Sequence, residues 1–198
     1  MLCHVFKNSG SSKLMRVFVC AKLPQASVDA LLRWISLRRT VCRGVRWVLP
    51  DTLHITLKFC GEIERETVDA MCAQLAKEEL GRAFSLAVSG VGGFPSLAAP
   101  RVIWAGIKGE TKELRRLQRI VDSCASGFGM KKDEKFSPHI TLGRRREASP
   151  LDAASVAALG NDVIELPEWT VGEIIMMEST LTRGGPVYTP IECFSLKK

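Results

Sequence analysis

One tetrapeptide occurs twice in this chain, and the repetition limits the folds open to it. His54-Ile55-Thr56-Leu57 returns as His139-Ile140-Thr141-Leu142, nearly half of the 198 residues later. Each copy sits in apolar, β-branched sequence, Leu53 to Phe59 and His139 to Leu142, which predicts a strand. On a strand, residues two apart share a face. His54 and Thr56 therefore point one way, and Ile55 and Leu57 the other. His139 and Thr141 repeat this against Ile140 and Leu142. Both halves of the chain are rich in alternating strands and helices, and each carries one copy. This pattern predicts a diverged duplication. A pseudo-two-fold packing of the halves would bring the two polar strand faces together at the centre.

Apolar alternation predicts strands over residues 15–21, 45–49, 53–59, 84–91, 102–107, 139–142, 169–179 and 187–196. Helical periodicity predicts helices over 28–39, 67–80, 112–125 and 151–159, the first capped by Ser27. Gly61 is expected to end the first motif strand, and Gly92 to Ser96 to form a loop. The first 14 residues include Asn8-Ser9-Gly10-Ser11-Ser12 and read as a flexible tail without the apolar core of a signal peptide. Residues 15–198 are then a single bilobed α+β domain. No apolar run approaches the roughly 20 residues that span a bilayer, so no membrane partner is expected.

The chain has three histidines. His4 lies in the tail without pattern or context. Two convergent imidazoles, His54 and His139, can serve as general acid and general base, because a pKa near neutrality makes both forms accessible. In-line displacement at phosphorus suits such a pair. The hydroxyls of Thr56 and Thr141 would hold non-bridging phosphate oxygens. No carboxylate cluster and no metal-spaced histidine pair appears, so neither a metal nor another cofactor is expected. The seven cysteines are odd in number and form no C-x-x-C pair. They read as buried, reduced thiols of a cytoplasmic protein. A net charge of +7 favours an anionic partner, most commonly nucleic acid. Arg43, Arg46, Lys58, Lys131, Lys132, Arg144, Arg145 and Arg146 fall beside the motifs and are expected to rim the cleft. Lys58 shares the face of His54 by parity.

The double motif and its surroundings resemble the RNA 2′,3′-cyclic phosphodiesterases, historically called bacterial 2′-5′ RNA ligases, of the 2H phosphoesterases. The resemblance covers nearly the whole chain after the tail. It begins at Arg16-Val17-Phe18-Val19 and Leu23-Pro24, and includes Val45-Arg46-Trp47-Val48 ahead of the first motif. It continues through Gly93-Phe94-Pro95-Ser96 and Arg101-Val102-Ile103-Trp104-Ala105-Gly106. It closes with Phe136-Ser137-Pro138-His139-Ile140-Thr141-Leu142-Gly143-Arg144 and Glu178-Ser179. The resemblance implies two pseudo-symmetric βαβ-type lobes, with antiparallel-rich sheets facing across a central cleft. It implies hydrolysis of RNA 2′,3′-cyclic phosphate ends to 2′-phosphates, with 2′-5′ ligation as the reverse reaction. His54 matches the proton donor to the 3′ oxygen, His139 the base toward water, and Arg144 a phosphate contact. Strict alternation instead puts Arg145 on the face of His139, unless a bulge at Gly143 resets the parity. The expected partners are RNA 3′ ends or nucleoside cyclic phosphates, bound by a monomer. Another 2H cyclic phosphodiesterase or a 2′-5′ phosphodiesterase could use the same two histidines. A non-catalytic RNA-binding module would show a degraded motif, and both copies here are intact.

Overall fold

The structure, a computed structural model, describes residues 14–145, 151–160 and 164–198. The expected tail, residues 1–14, lies outside the described residues apart from Leu14, as does Arg146. The elements are, in order, β1 (Leu14–Lys22), α1 (Gln25–Arg38), β2 (Val45–Trp47), a 3-10 turn (Pro50–Thr52), β3 (His54–Glu64) and α2 (Arg65–Leu75). Then follow β4 (Phe84–Phe94), β5 (Val102–Gly109), α3 (Thr111–Gly127), β6 (His139–Arg145), α4 (Ala153–Gly160), β7 (Trp169–Val171), β8 (Glu173–Thr182) and β9 (Gly185–Ser195).

The described strands form one curled antiparallel sheet in the order β7-β4-β5-β6-β3-β1-β8-β9, with β2 added to β6. The two motif strands are neighbours, and the register recorded between them is the single pair Ile55↔Ile140. These are the same residue of the two motif copies, so the local two-fold passes between them. The lobes, β1, β3, β8 and β9 on one side and β4 to β7 on the other, part from this contact and leave a cleft. The aliphatic faces of the central strands make one shared core: Val17, Val19, Ile55, Leu57, Ile140 and Leu142 are buried in it. Each such side chain stabilises the fold by about 1.5–3 kcal/mol. Helices cover this core, α1 burying Leu31 and Ile35 in it and α4 Leu159. α2 buries Val68, Met71, Cys72 and Leu75, and α3 buries Leu114, Leu117 and Val121, both at helical spacing. A smaller cluster of Phe18, Cys20, Ile175 and Met177, with Tyr188 against it, lies on the other face of β1 and β8.

Several boundaries differ from expectation for reasons of tertiary pairing. α1 starts at Gln25 after Pro24, so Ser27 lies inside its first turn and caps nothing. α2 spans Arg65–Leu75 and stops short of Leu80. Gly61 does not end β3. At φ 79° it accommodates a register shift against β1, and the strand runs on to Glu64. Gly92 and Gly93 lie within β4 rather than in a loop. Gly92 pairs with Trp104, whose indole ring fills the space that a Cβ at Gly92 would need. The strand expected over 169–179 is broken at Gly172. β7 joins β4 in one lobe and β8 joins β1 in the other, so this segment crosses between them. All six described cysteines are free, and Cys193 alone among them is exposed. No helix is long and apolar enough to cross a membrane among the described residues.

Candidate active site

A β-bulge at the fourth residue of each motif decides what faces the cleft. On β3, Thr56 pairs with Cys20 but Lys58 pairs with Val19, which leaves Leu57 as the extra residue. On β6, Thr141 pairs with Trp104 but Gly143 pairs with Ile103, which leaves Leu142 extra. One extra residue reverses the alternation beyond it. The residues five places after each histidine, Phe59 and Arg144, therefore join the histidine's face. Those four places after, Lys58 and Gly143, turn inward. Arg144 thus shares the face of His139, while Arg145 goes to the opposite side, paired with Val45. The expectation for Lys58 is overturned. It is 2% exposed, and its Nζ donates to Asp122 Oδ1 (2.5 Å), Asp133 Oδ1 (3.0 Å) and the Lys131 carbonyl (2.7 Å). Strict alternation also missed Phe59. The available signal was the repeat itself: a parity conflict at Arg144 called for a bulge in one copy, and the other copy bulges alike.

The two imidazoles are tethered in the same way, each to the backbone two residues earlier. His139 Nδ1 lies 2.7 Å from the Ser137 carbonyl. His54 hydrogen-bonds the backbone of Thr52. A carbonyl only accepts, so His139 Nδ1 carries the hydrogen, and the neutral ring presents a bare Nε2. On His54, Nε2 lies 3.0 Å from Thr56 Oγ1, and the hydroxyl donates to it while the ring is neutral. Aromatic rings set the ring planes. Phe18 stacks on His54 at 4.9 Å, and Tyr188 meets it edge-on at 5.4 Å. Phe94 meets His139 edge-on at 5.1 Å, and Trp104, seated over Gly92, backs Phe94 at 5.2 Å.

Burial among these rings disfavours the charged imidazolium. It lowers His54 to about 4, against the opposing effect of the Thr52 bond and with a further push from His139. Burial lowers His139 too, against its Ser137 bond, and the Arg144 charge adds to the effect. Both rings are therefore neutral at pH 7 in the free protein. An anion placed between them favours the protonated form.

A cavity of about 560 Å³ lies over the motif faces. Its wall includes His54, Thr56, Thr141, Arg46, Arg144, Phe59 and Tyr188, with the turn between β8 and β9 arched over it. His139 is not part of that wall. It stands beside it against Phe94, within electrostatic reach of His54 and Arg144. Of the other basic residues expected at the rim, Lys131 and Lys132 line a separate trough of about 580 Å³ beyond Phe59. Arg43 is exposed and lines neither. Among the described residues no acidic side chain lines the cavity, and no three His, Cys, Asp or Glu side chains converge as metal ligands.

Comparison with known proteins places this geometry. The family profile described as LigT like Phosphoesterase matches twice, over residues 22–104 and 106–188, so each match contains one copy of the motif. An RNA 2′,3′-cyclic phosphodiesterase of Archaeoglobus fulgidus is 32% identical over 91% of this chain and 99% of its own length. One from Thermus thermophilus is 32% identical over 92% and 91%. Among solved structures, E. coli LigT complexed with 3′-AMP superposes with a TM-score of 0.75 at 26% identity, covering 94% of this chain and all of that one. A crystal structure of a Thermus thermophilus protein gives 0.74 at 31% identity, covering 92% and 98%. With both halves of the profile matched, one on each copy of the motif, this chain belongs to the LigT-like phosphoesterase family.

Proposed function

We propose that the protein hydrolyses the 2′,3′-cyclic phosphate of an RNA 3′ end to a 2′-phosphate, with His54 as general acid and His139 as general base. The observation that carries this reading is the paired placement of the histidines about the Ile55–Ile140 contact, each tethered through its backbone bond. His139 Nε2 takes a proton from water as the water oxygen attacks phosphorus. The P–O3′ bond breaks on the far side, and His54 Nε2–H delivers a proton to the departing O3′. The products are a 2′-phosphate and a free 3′-hydroxyl. An RNA 5′-hydroxyl in place of water would make a 2′-5′ linkage by the same transfer; in the reverse direction the 3′-hydroxyl attacks that linkage, the 5′-hydroxyl leaves, and the cyclic phosphate re-forms.

His54 must be protonated to act, although burial keeps it neutral in the free protein. The substrate's own negative charge supplies the correction, since an adjacent anion favours imidazolium. Arg144 and the hydroxyls of Thr56 and Thr141 hold the non-bridging oxygens, and Phe59 offers an apolar face to the terminal base. This chemistry requires no metal ion or other cofactor. Residues 15–198 act as one catalytic unit and as a monomer, because both lobes of a single chain complete the site. The unpaired thiols suit a reducing cytoplasm.

The test is incubation with an oligonucleotide ending in a 2′,3′-cyclic phosphate, with and without EDTA. The expected product is one water heavier, carries a 2′-phosphate, and forms equally fast with chelator. An unchanged substrate, a 3′-phosphate product, or loss of turnover restored by a divalent ion would contradict the reading.

A further inference from the structure

Arg46 stands beside Arg144 in the cleft, and the acid–base reaction at the terminal phosphate assigns it no role. β2 puts it there: Arg46 pairs with Arg144, and Trp47 with Gly143, across the β2–β6 ladder. Gly143 holds this register. A Cβ at that position would lie 2.7 Å from Val45 Cγ1 and 3.1 Å from Trp47 Cε3, so these side chains close over the glycine. Directly opposite residues on an antiparallel pair point to the same face. Arg46 and Arg144 accordingly extend together into the cavity wall. The Arg46 guanidinium lies under the β8–β9 turn, with Nη2 3.4 Å from where a Cβ of Gly185 would be. That glycine has φ 128°, a conformation other residues rarely adopt.

Among the described residues neither guanidinium has an acidic partner. Like charges directly opposite on a sheet repel, so bound anions favour this pair. The trough beyond Phe59 is a poorer anion site, because Asp133 and Glu134 sit among its lysines.

We propose that Arg46 binds the phosphodiester immediately 5′ of the terminal nucleotide, so that the site favours an RNA end over a mononucleotide cyclic phosphate. The inference rests on the cyclic phosphodiesterase reading of the cleft. In a chain ending in a cyclic phosphate, that phosphodiester is the next negative charge along the strand. The planar fork of arginine matches its two free oxygens.

The experiment measures kcat and KM for a nucleoside 2′,3′-cyclic phosphate and for a dinucleotide with the same end, at several salt concentrations. Wild type, Arg46→Gln and Arg46→Lys are compared, with unfolding midpoints confirming that both variants fold. Wild type should prefer the dinucleotide at low salt. Arg46→Gln should lose about tenfold more kcat/KM on the dinucleotide than on the mononucleotide, chiefly through KM, as one charge-assisted hydrogen bond would dictate. Its salt slope should become shallower by about 0.7. Arg46→Lys should keep that slope and recover part of the preference. Equal losses on both substrates, or a wild type indifferent to length at low salt, would overturn the role of Arg46 while leaving the reaction intact. Turnover of neither substrate by wild type would overturn both readings.

Discussion

Replacing Lys58 by methionine is expected to destabilise the protein by about 3–5 kcal/mol without altering the salt dependence of RNA binding. Lys58 is 2% exposed and donates to three acceptors, at 2.5, 2.7 and 3.0 Å. Burial by itself would lower its pKa, but the bonds it donates to the Asp122 and Asp133 carboxylates outweigh burial and raise it, so the ammonium stays charged. Methionine replaces the stem and leaves out the charge. Asp122, its side chain 12% exposed, is then buried without a cation, and that orphaned charge is the source of the loss. Asp133, at 39% exposure, returns to water and adds little. With a urea slope of roughly 1–3 kcal/mol per molar, the midpoint should fall by at least about 1 M. Adding Asp122→Asn should restore much of the loss, a non-additivity that a double-mutant cycle reads directly. Without the bulge at Leu57, Lys58 would lie in the cleft, and methionine would do the reverse. The midpoint would hold, and the salt slope for RNA would become shallower by about 0.7. That pair of results would refute the bulged register and the placement of Phe59 with it.

His54→Ala and His139→Ala should each lower turnover by about 10²–10⁴-fold, with smaller losses for Thr56→Ala and Thr141→Ala. A near-normal rate in either histidine variant would remove that residue from the chemistry. The depressed pKa of His54 ties stability to pH. The unfolded chain takes up this proton near pH 6.5 and the folded one near 4, so the contribution is complete above 6.5 and is lost as pH falls toward 4. The difference in unfolding free energy between wild type and His54→Gln should change by up to about 3 kcal/mol across that window; a constant difference would contradict it. Sulfate, which does not titrate there, should draw a proton onto the site when it binds at pH 6, and binding heats independent of buffer ionisation would refute that. Gly92→Ala should displace the Trp104 ring that backs Phe94 and His139, lowering kcat and costing about 1–3 kcal/mol of stability. Gly127→Ala, with open space at its Cβ, is the control, and equal behaviour of the two would discount the aromatic support.

The repeated tetrapeptide was sufficient to identify the two central strands and to sort their polar and apolar faces, because alternation is a property of the local backbone. The apolar spacings of α2 and α3 were legible for the same reason. What only the tertiary structure decided was where alternation breaks. A bulge inserts one residue relative to a partner strand, and the partner's register belongs to a distant stretch: β1 fixes Leu57 as the extra residue on β3, and β5 fixes Leu142 on β6. Lys58 reads as a cleft residue in the sequence, yet it answers to Asp122 and Asp133, which lie 64 and 75 positions away. Phe18 and Tyr188, from β1 and β9, could not be matched to His54 by any spacing, although their rings help to set its proton affinity. The division at Gly172, which sends β7 to one lobe and β8 to the other, is of the same kind. Local chemistry chose the histidines, and long-range strand pairing chose which neighbours stand beside them.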